Sequence, residues 1–327
     1  ALSKTIKDGI REAGGVPMEF PTHPIQETGK RPTAGLDRNL SYLSLVEVLY
    51  GYPIDGVILT TGCDKTTPAA LMAAATVNIP SIVLSGGPML DGTYKGKKAG
   101  SGTIIWEARR LHAKGEISYE EFMDMAAASA PSIGHCNTMG TASSMNSIAE
   151  ALGMSLTGGA IIPAPYKERE SISFKTGKRI VEMVHEDLIP SKIMTKKAFE
   201  NAIYVASAIG ASSNCPPHLT AIARHMGIDF GIDNWEKLGH DIPLLVNCQP
   251  AGEHLMEGFF KAGGIPAIMQ ELMKNNKLHK DLMTVTGKTI AENLIEKLDI
   301  DENIIKSFKN PLVNNAGFIV MKSNFFN

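Results

Sequence analysis

Cys63, Asp64 and Lys65 are consecutive in the run Thr60-Thr61-Gly62-Cys63-Asp64-Lys65-Thr66-Thr67-Pro68-Ala69. A thiolate is a soft ligand, a carboxylate a hard one and an amine a third kind of donor, so one turn of chain offers three ligand chemistries. The preceding run, Gly56-Val57-Ile58-Leu59-Thr60-Thr61, is short, apolar and β-branched, as in a parallel strand buried on both faces. Gly62 permits a sharp turn, and Pro68 ahead of Ala69-Ala70-Leu71-Met72-Ala73-Ala74-Ala75 predicts a helix. The triplet is therefore expected where a strand passes into a helix. In open α/β sheets ligands bind outside the carboxyl ends of strands. Taken singly, each residue reads equally well as a small buried thiol, a helix-capping carboxylate or a solvated amine.

A second thiol, Cys136, stands in Gly134-His135-Cys136-Asn137-Thr138-Met139-Gly140-Thr141-Ala142-Ser143-Ser144-Met145-Asn146-Ser147. This is a glycine-flanked loop running into a helix whose apolar positions include Ile148, Ala149, Ala151 and Leu152. Together the two segments resemble the family of dihydroxy-acid, phosphogluconate and sugar-acid (aldonate) dehydratases. The resemblance is carried by Gly62 to Pro68, by Ser85-Gly86-Gly87-Pro88-Met89 and by Cys136 to Ala142. It runs along nearly the whole chain and ends at Ala316-Gly317-Phe318-Ile319-Val320, which looks like the entry to the family's second domain. Cys-Asn-Thr-Met-Gly-Thr-Ala followed by Ile162-Pro163-Ala164-Pro165-Tyr166 is similar to the aldonate branch; the amino-acid biosynthetic branch usually has Ser-Gly-Met-Tyr after that cysteine.

The resemblance implies a lyase that dehydrates a 2,3-dihydroxy sugar acid, such as arabinonate or xylonate, to a 2-keto-3-deoxy acid. Cys63 and Cys136 match two of three cysteines holding an iron-sulfur cluster, 2Fe-2S in preference to 4Fe-4S. Asp64, Lys65 in carbamylated form, and Glu27 in Pro24-Ile25-Gln26-Glu27-Thr28-Gly29 match the oxygen ligands of Mg2+. The family's base is a serine of the second domain, so no catalytic residue is assigned within this chain. Its remaining cluster cysteine lies in an upstream Pro-Cys-Asn-like segment that this sequence does not contain. The expectation is a domain clipped at both ends and not a competent catalyst as it stands. Alternatives are a branched-chain dihydroxy-acid dehydratase and a noncatalytic fragment. Cys215 and Cys248 match no family ligand and read as buried thiols. Ser212, Ser213, Asn214 and His218 resemble a segment near the active site, with His218 a structural or helix-start residue rather than a base.

Around these motifs, strand-like runs are expected near Gly56-Thr61, Pro80-Ser85, Ala160-Ile162 and Pro243-Val246, with a weaker one at Val16-Phe20. Between them lie helical stretches near Tyr42-Tyr50, Ala69-Val77, Thr103-Ala113, Tyr119-Ala128, Ala142-Leu152, Lys197-Ile209, Leu219-His225, Glu253-Ala262 and Thr289-Lys297. The alternation predicts an α/β fold, a layered α/β/α domain with a mostly parallel sheet over residues 1–310. Residues 311–327 would begin a β-rich second domain. The charged segment Lys167 to Arg179 and the trio Lys95, Lys97 and Lys98 read as solvated surface. With 327 residues, 43% of them hydrophobic, the chain can bury a large core. A net charge of −2 without a lysine-arginine cluster disfavours nucleic acid. Four cysteines without paired spacing suit metal chemistry in a reducing, cytoplasmic setting better than a disulfide framework. No apolar run approaches the roughly eighteen residues of a membrane span. The glycines form neither a P-loop nor a dinucleotide fingerprint. The expected partners are a small sugar acid and a second copy of the chain, as a homodimer or higher homo-oligomer.

Overall fold

The computed structural model describes residues 2–22 and 35–324. Its first half contains α1 (Leu2–Glu12), α2 (Gly35–Gly51), β1 (Val57–Thr61), α3 (Thr66–Val77), β2 (Ser81–Ser85), β3 (Thr93–Tyr94), β4 (Lys97–Lys98), α4 (Ile104–Ala113), α5 (Tyr119–Ala128) and α6 (Thr141–Ala151). There follow α7 (Lys167–His185), α8 (Pro190–Ile193), α9 (Lys196–Ala208), α10 (Cys215–His225), α11 (Asp233–Gly239), α12 (Met256–Lys261), α13 (Gly264–Lys274) and α14 (Ile290–Asn293).

The fold is α/β. β1 and β2 pair in parallel, from Val57 opposite Ser81 to Thr61 opposite Ser85, and all five residues of β2 are buried. That is the burial expected of a parallel strand covered on both faces. α3 makes the connection between them; its alanines bury almost completely, and Asn78 closes it in the left-handed conformation with its N–H on the Ala74 carbonyl. α3 and α7 both pack on the two strands. Leu71, Ile82, Met145, Ile148 and Phe199 belong to the resulting core, and a second core gathers α12 and α13 around Ile242, Leu245 and Val246.

The strands expected at Ala160-Ile162 and Pro243-Val246 do not form ladders. Beside β2, Val83 N–H donates to the Met154 carbonyl and Ser155 Oγ to the Val83 carbonyl. The chain that follows is satisfied by side chains instead. Glu150 accepts from Gly158 and Ala160 N–H, and Arg169 donates to the Gly159 and Ile162 carbonyls. Around Leu244 and Val246 the partners alternate between Val313 and Ile305, leaving isolated antiparallel bridges. Val16-Phe20 has no ladder, and Val16 and Met18 are exposed.

Lys167 to Arg179 is not solvated surface throughout. It lies within the nineteen-residue α7, and Arg169 and Arg179 are buried. α7 crosses α1 at two glycines: a Cβ on Gly177 would stand 2.3 Å from the Ile6 carbonyl oxygen, and one on Gly9 2.2 Å from that of Phe174. Lys97 and Lys98 form the second strand of a small hairpin and are exposed, as expected. Among the described residues no helix is long and apolar enough to cross a membrane.

Candidate functional site

The carboxyl end of β1 turns through Gly62 into Cys63, Asp64 and Lys65, and α3 begins at Thr66. Thr66 holds the turn: its hydroxyl accepts the Cys63 N–H at 2.9 Å and lies 3.1 Å from the Cys63 carbonyl. Cys63 is partly exposed and Lys65 is buried. The Asp64 carboxylate is gripped from two sides, by Lys65 Nζ at 2.9 Å on Oδ2 and by His218 Nε2 at 3.3 Å on Oδ1. Arg38 Nη1 lies 3.1 Å from His218 Nδ1. A guanidinium has no lone pair to offer, so Nδ1 accepts and Nε2 carries the proton given to Asp64. Burial works to raise the Asp64 carboxyl, but the bonds from His218 and Lys65 outweigh it and hold it below the usual carboxylate range.

The Cys136 loop is clamped to the chain after β2. His135 N–H donates to the Gly87 carbonyl and Met89 N–H to that of His135, both at 2.9 Å. Gly134, at φ 132, lies so close that a Cβ would stand 2.5 Å from Met89 N. Two hydroxyls face the Cys136 sulfur, Ser101 Oγ at 2.9 Å and Thr138 Oγ1 at 3.0 Å. A sulfur so surrounded suits a thiolate ligand, whose charge hydroxyl donors stabilise. Asn137 fixes the loop from below, accepting Ser101 N–H at 2.9 Å and donating to the Leu90 carbonyl at 2.8 Å. His135 is buried, which lowers it to about 4 and keeps the ring neutral.

The Cys63 turn and the Cys136 loop meet through the buried Asn146 of α6, which bonds to Thr61 and Thr67 on one side and His135 on the other. The residue set fits the two implied groups to different degrees. The thiols of Cys63 and Cys136 are the two that retain some exposure; Cys215 and Cys248 are buried, and burial pushes both thiols up, away from ionisation. For a hard cation, Asp64 supplies oxygen, whereas Lys65 as an ammonium supplies no lone pair; carbamylation would give it oxygens beside that carboxylate. Among the described residues no group of three or more His, Cys, Asp or Glu is placed to hold a metal ion. Glu27 lies outside the described residues.

Arg169 stands just behind the site. Its guanidinium donates to the carbonyls of Ser85 at 2.6 Å, Gly159 at 3.0 Å and Ile162, tying the end of β2 to the segment before α7. Both Nη atoms are held by backbone carbonyls and the side chain is buried, so although Nε has no partner among the described residues the guanidinium is not disposed to meet a substrate carboxylate. Glu257 of α12 accepts from Asp91 N–H at 2.9 Å, Tyr166 at 2.7 Å and Lys261 at 2.6 Å. Burial works to raise the Glu257 carboxyl, yet those donors outweigh it and bring it to about 2. Sequence reasoning missed Asn146, Arg38 and the roles of Ser101 and Thr138. Asn146 and Thr138 lay inside the Cys136 segment, while Arg38 reaches His218 across 180 residues with no local signal.

Residues 1–293 match the family model described as Dihydroxy-acid/6-phosphogluconate dehydratase N-terminal. The chain is 59% identical over 325 residues to the D-xylonate dehydratase of Caulobacter vibrioides, a match covering 99% of this chain and 54% of that protein. With the L-arabinonate dehydratase of Rhizobium leguminosarum it shares 46% identity over 323 residues, 99% of this chain and 56% of the relative. A dihydroxy-acid dehydratase of Acetivibrio thermocellus is 38% identical over 328 residues, covering 99% and 59%. The chain thus spans a little over half the length of the curated relatives it matches.

Proposed function

The chain belongs to the dihydroxy-acid/6-phosphogluconate dehydratase family, and from that membership we propose that it is part of a hydro-lyase acting on a sugar acid of the aldonate class. In the reaction the proton on carbon 2 and the hydroxyl on carbon 3 depart as water, and the enol left behind becomes a 2-keto-3-deoxy acid. The observation that carries the reading is the meeting of the Cys63-Asp64-Lys65 turn with the Cys136 loop across Asn146. The aldonate class is supported by the relatives named for xylonate and arabinonate, which are more similar to this chain than the dihydroxy-acid dehydratase is.

Cys63 and Cys136 would hold an iron-sulfur cluster, and Asp64, carbamylated Lys65 and Glu27 a magnesium ion. When bound, these groups supply Lewis-acid chemistry for a leaving hydroxyl and for the substrate carboxylate. The chain's own residues prepare that chemistry. His218, its tautomer set by Arg38, presents Asp64 in one orientation as an ionised carboxylate. Ser101 and Thr138 place hydroxyls on the Cys136 sulfur, and Thr66 fixes the turn that aims Cys63.

A substrate panel on the full-length protein tests the reading. Formation of 2-keto acid from D-xylonate and L-arabinonate should run at least tenfold faster than from 2,3-dihydroxyisovalerate. The reverse order would assign the protein to branched-chain amino-acid chemistry, and no turnover of any of them would sink the dehydratase reading.

A further inference from the structure

Asn146 joins the two cysteine-bearing segments through bonds from which solvent is excluded: its residue exposure is 1%, that of Thr67 0% and that of Thr61 4%. On one side its Oδ1 accepts from Thr61 Oγ1 at 3.0 Å and from Thr67 Oγ1 at 3.3 Å. Thr67 shares its proton with the Cys63 carbonyl, 3.4 Å away. On the other side Nδ2 lies 3.3 Å from His135 Nε2, and His135 Nδ1 lies 3.0 Å from the Cys136 carbonyl. A carbonyl only accepts, so Nδ1 carries the ring proton. Nε2 is then bare, and the amide nitrogen of Asn146 must be the donor. Each atom between the Cys63 carbonyl and the Cys136 carbonyl therefore has one assigned role.

We propose that Asn146 is a positioning residue that sets the Cys63 turn against the Cys136 loop, so that both thiols address one shared group. The inference rests on the reading of Cys63 and Cys136 as ligands of that group. Fold stability alone does not call for an amide here. α3 and α6 already contact one another, and Leu71 and Ala74 lie in the same apolar core as Met145 and Ile148. Apolar side chains at position 146 and at its partners together would avoid the desolvation cost of the buried amide and hydroxyls. What a hydrocarbon cannot do is fix the register of two loops by direction-specific bonds, and outer groups of this kind commonly change metal affinity by about 10- to 100-fold.

The test uses Asn146→Leu and Asn146→Asp in the full-length protein, reconstituted anaerobically with iron and sulfide. The readouts are iron and sulfide per chain, the rate at which EDTA bleaches the visible absorption, and amide hydrogen exchange of residues 62–66 and 134–138 in the metal-free form. In Asn146→Leu both loops should exchange faster, and bleaching should quicken by about tenfold or more. Asn146→Asp, as an ionised carboxylate beside a neutral His135, keeps the acceptor for Thr61 and Thr67 but loses the donor to His135. It should loosen residues 134–138 alone, with bleaching again faster. Faster exchange with bleaching unchanged would make Asn146 a stabilising residue only and overturn the proposal, as would unchanged exchange. Should Asn146→Leu fail to fold, Asn146→Asp carries the comparison. A wild-type protein that takes up neither iron nor sulfide would overturn the ligand reading and the positioning role together. That failure is distinguishable because it appears before any substitution.

Discussion

A sulfur that solvent or a ligand can reach is a different chemical object from a buried one, and the four cysteines divide along that line: Cys63 and Cys136 are partly exposed, with two hydroxyls on Cys136, whereas Cys215 and Cys248 are buried. Cys63→Ser or Cys136→Ser in the full-length protein should each abolish the visible absorption and the bound iron; the same change at Cys215 or Cys248 should leave both in place. Metal analysis after anaerobic reconstitution decides between these outcomes. Asp64→Asn should spare the iron but remove magnesium-dependent turnover by at least about a hundredfold, because an amide cannot supply the charge a hard cation needs. Full activity in that variant would remove Asp64 from the ligand set. The triplet and Cys136 were legible in the sequence because their chemistry is local, written in consecutive residue types. His218 was legible only as a neighbour of the site. Its bond to Asp64 spans 154 residues, and only packing reveals such a contact.

Helix α7 shows how element and sequence diverge. Its charged residues suggested a solvated stretch, yet Arg169 turns inward and serves as a backbone partner for carbonyls that have no ladder. Those carbonyls explain why Ala160-Ile162 is not a strand: a side chain has taken the place of a neighbouring strand. Arg169→Met would orphan the three acceptors, and denaturant unfolding should register a loss of about 3 kcal/mol or more. The crossing of α1 on α7 gives a second measurement. Gly177→Ala drives a methyl into the α1 backbone, where no flexible side chain can yield, and should cost about 2 kcal/mol in the same assay. β1, β2 and α3 were readable because apolar runs and alanine content match their burial. α7 was not, because hydrophobic pattern cannot distinguish a buried arginine from an exposed one.

Across the molecule as a whole, two buried groups set opposing pH responses. Burial raises Glu150 from its ordinary 4.5 to about 7, so between those values the folded chain keeps a proton that the unfolded chain has lost, and stability falls as pH rises. His135 is lowered from 6.5 to about 4; there the unfolded chain holds the extra proton, and stability rises with pH. Each shift corresponds to about 3 kcal/mol, and over roughly pH 4.5–6.5 the two slopes oppose one another. Thermal unfolding of the metal-free protein should therefore vary less across that window than either group alone would make it vary. Glu150→Gln should make the midpoint climb with pH, and an unchanged profile would contradict the assignment. The α/β class was readable from alternation along the chain, whereas the shortness of the ladder followed from side chains that no periodicity announces. The bond from Thr61 to Asn146 closes a span of 85 residues, so the two cysteine-bearing segments are joined only when distant parts of the chain have already packed. With Cys63 and Cys136 as ligands, assembly would then have an order: the scaffold would form first and an inorganic group would arrive afterwards, unlike small zinc modules that fold around their ion. A chelator should accordingly empty the protein while leaving its circular dichroism intact.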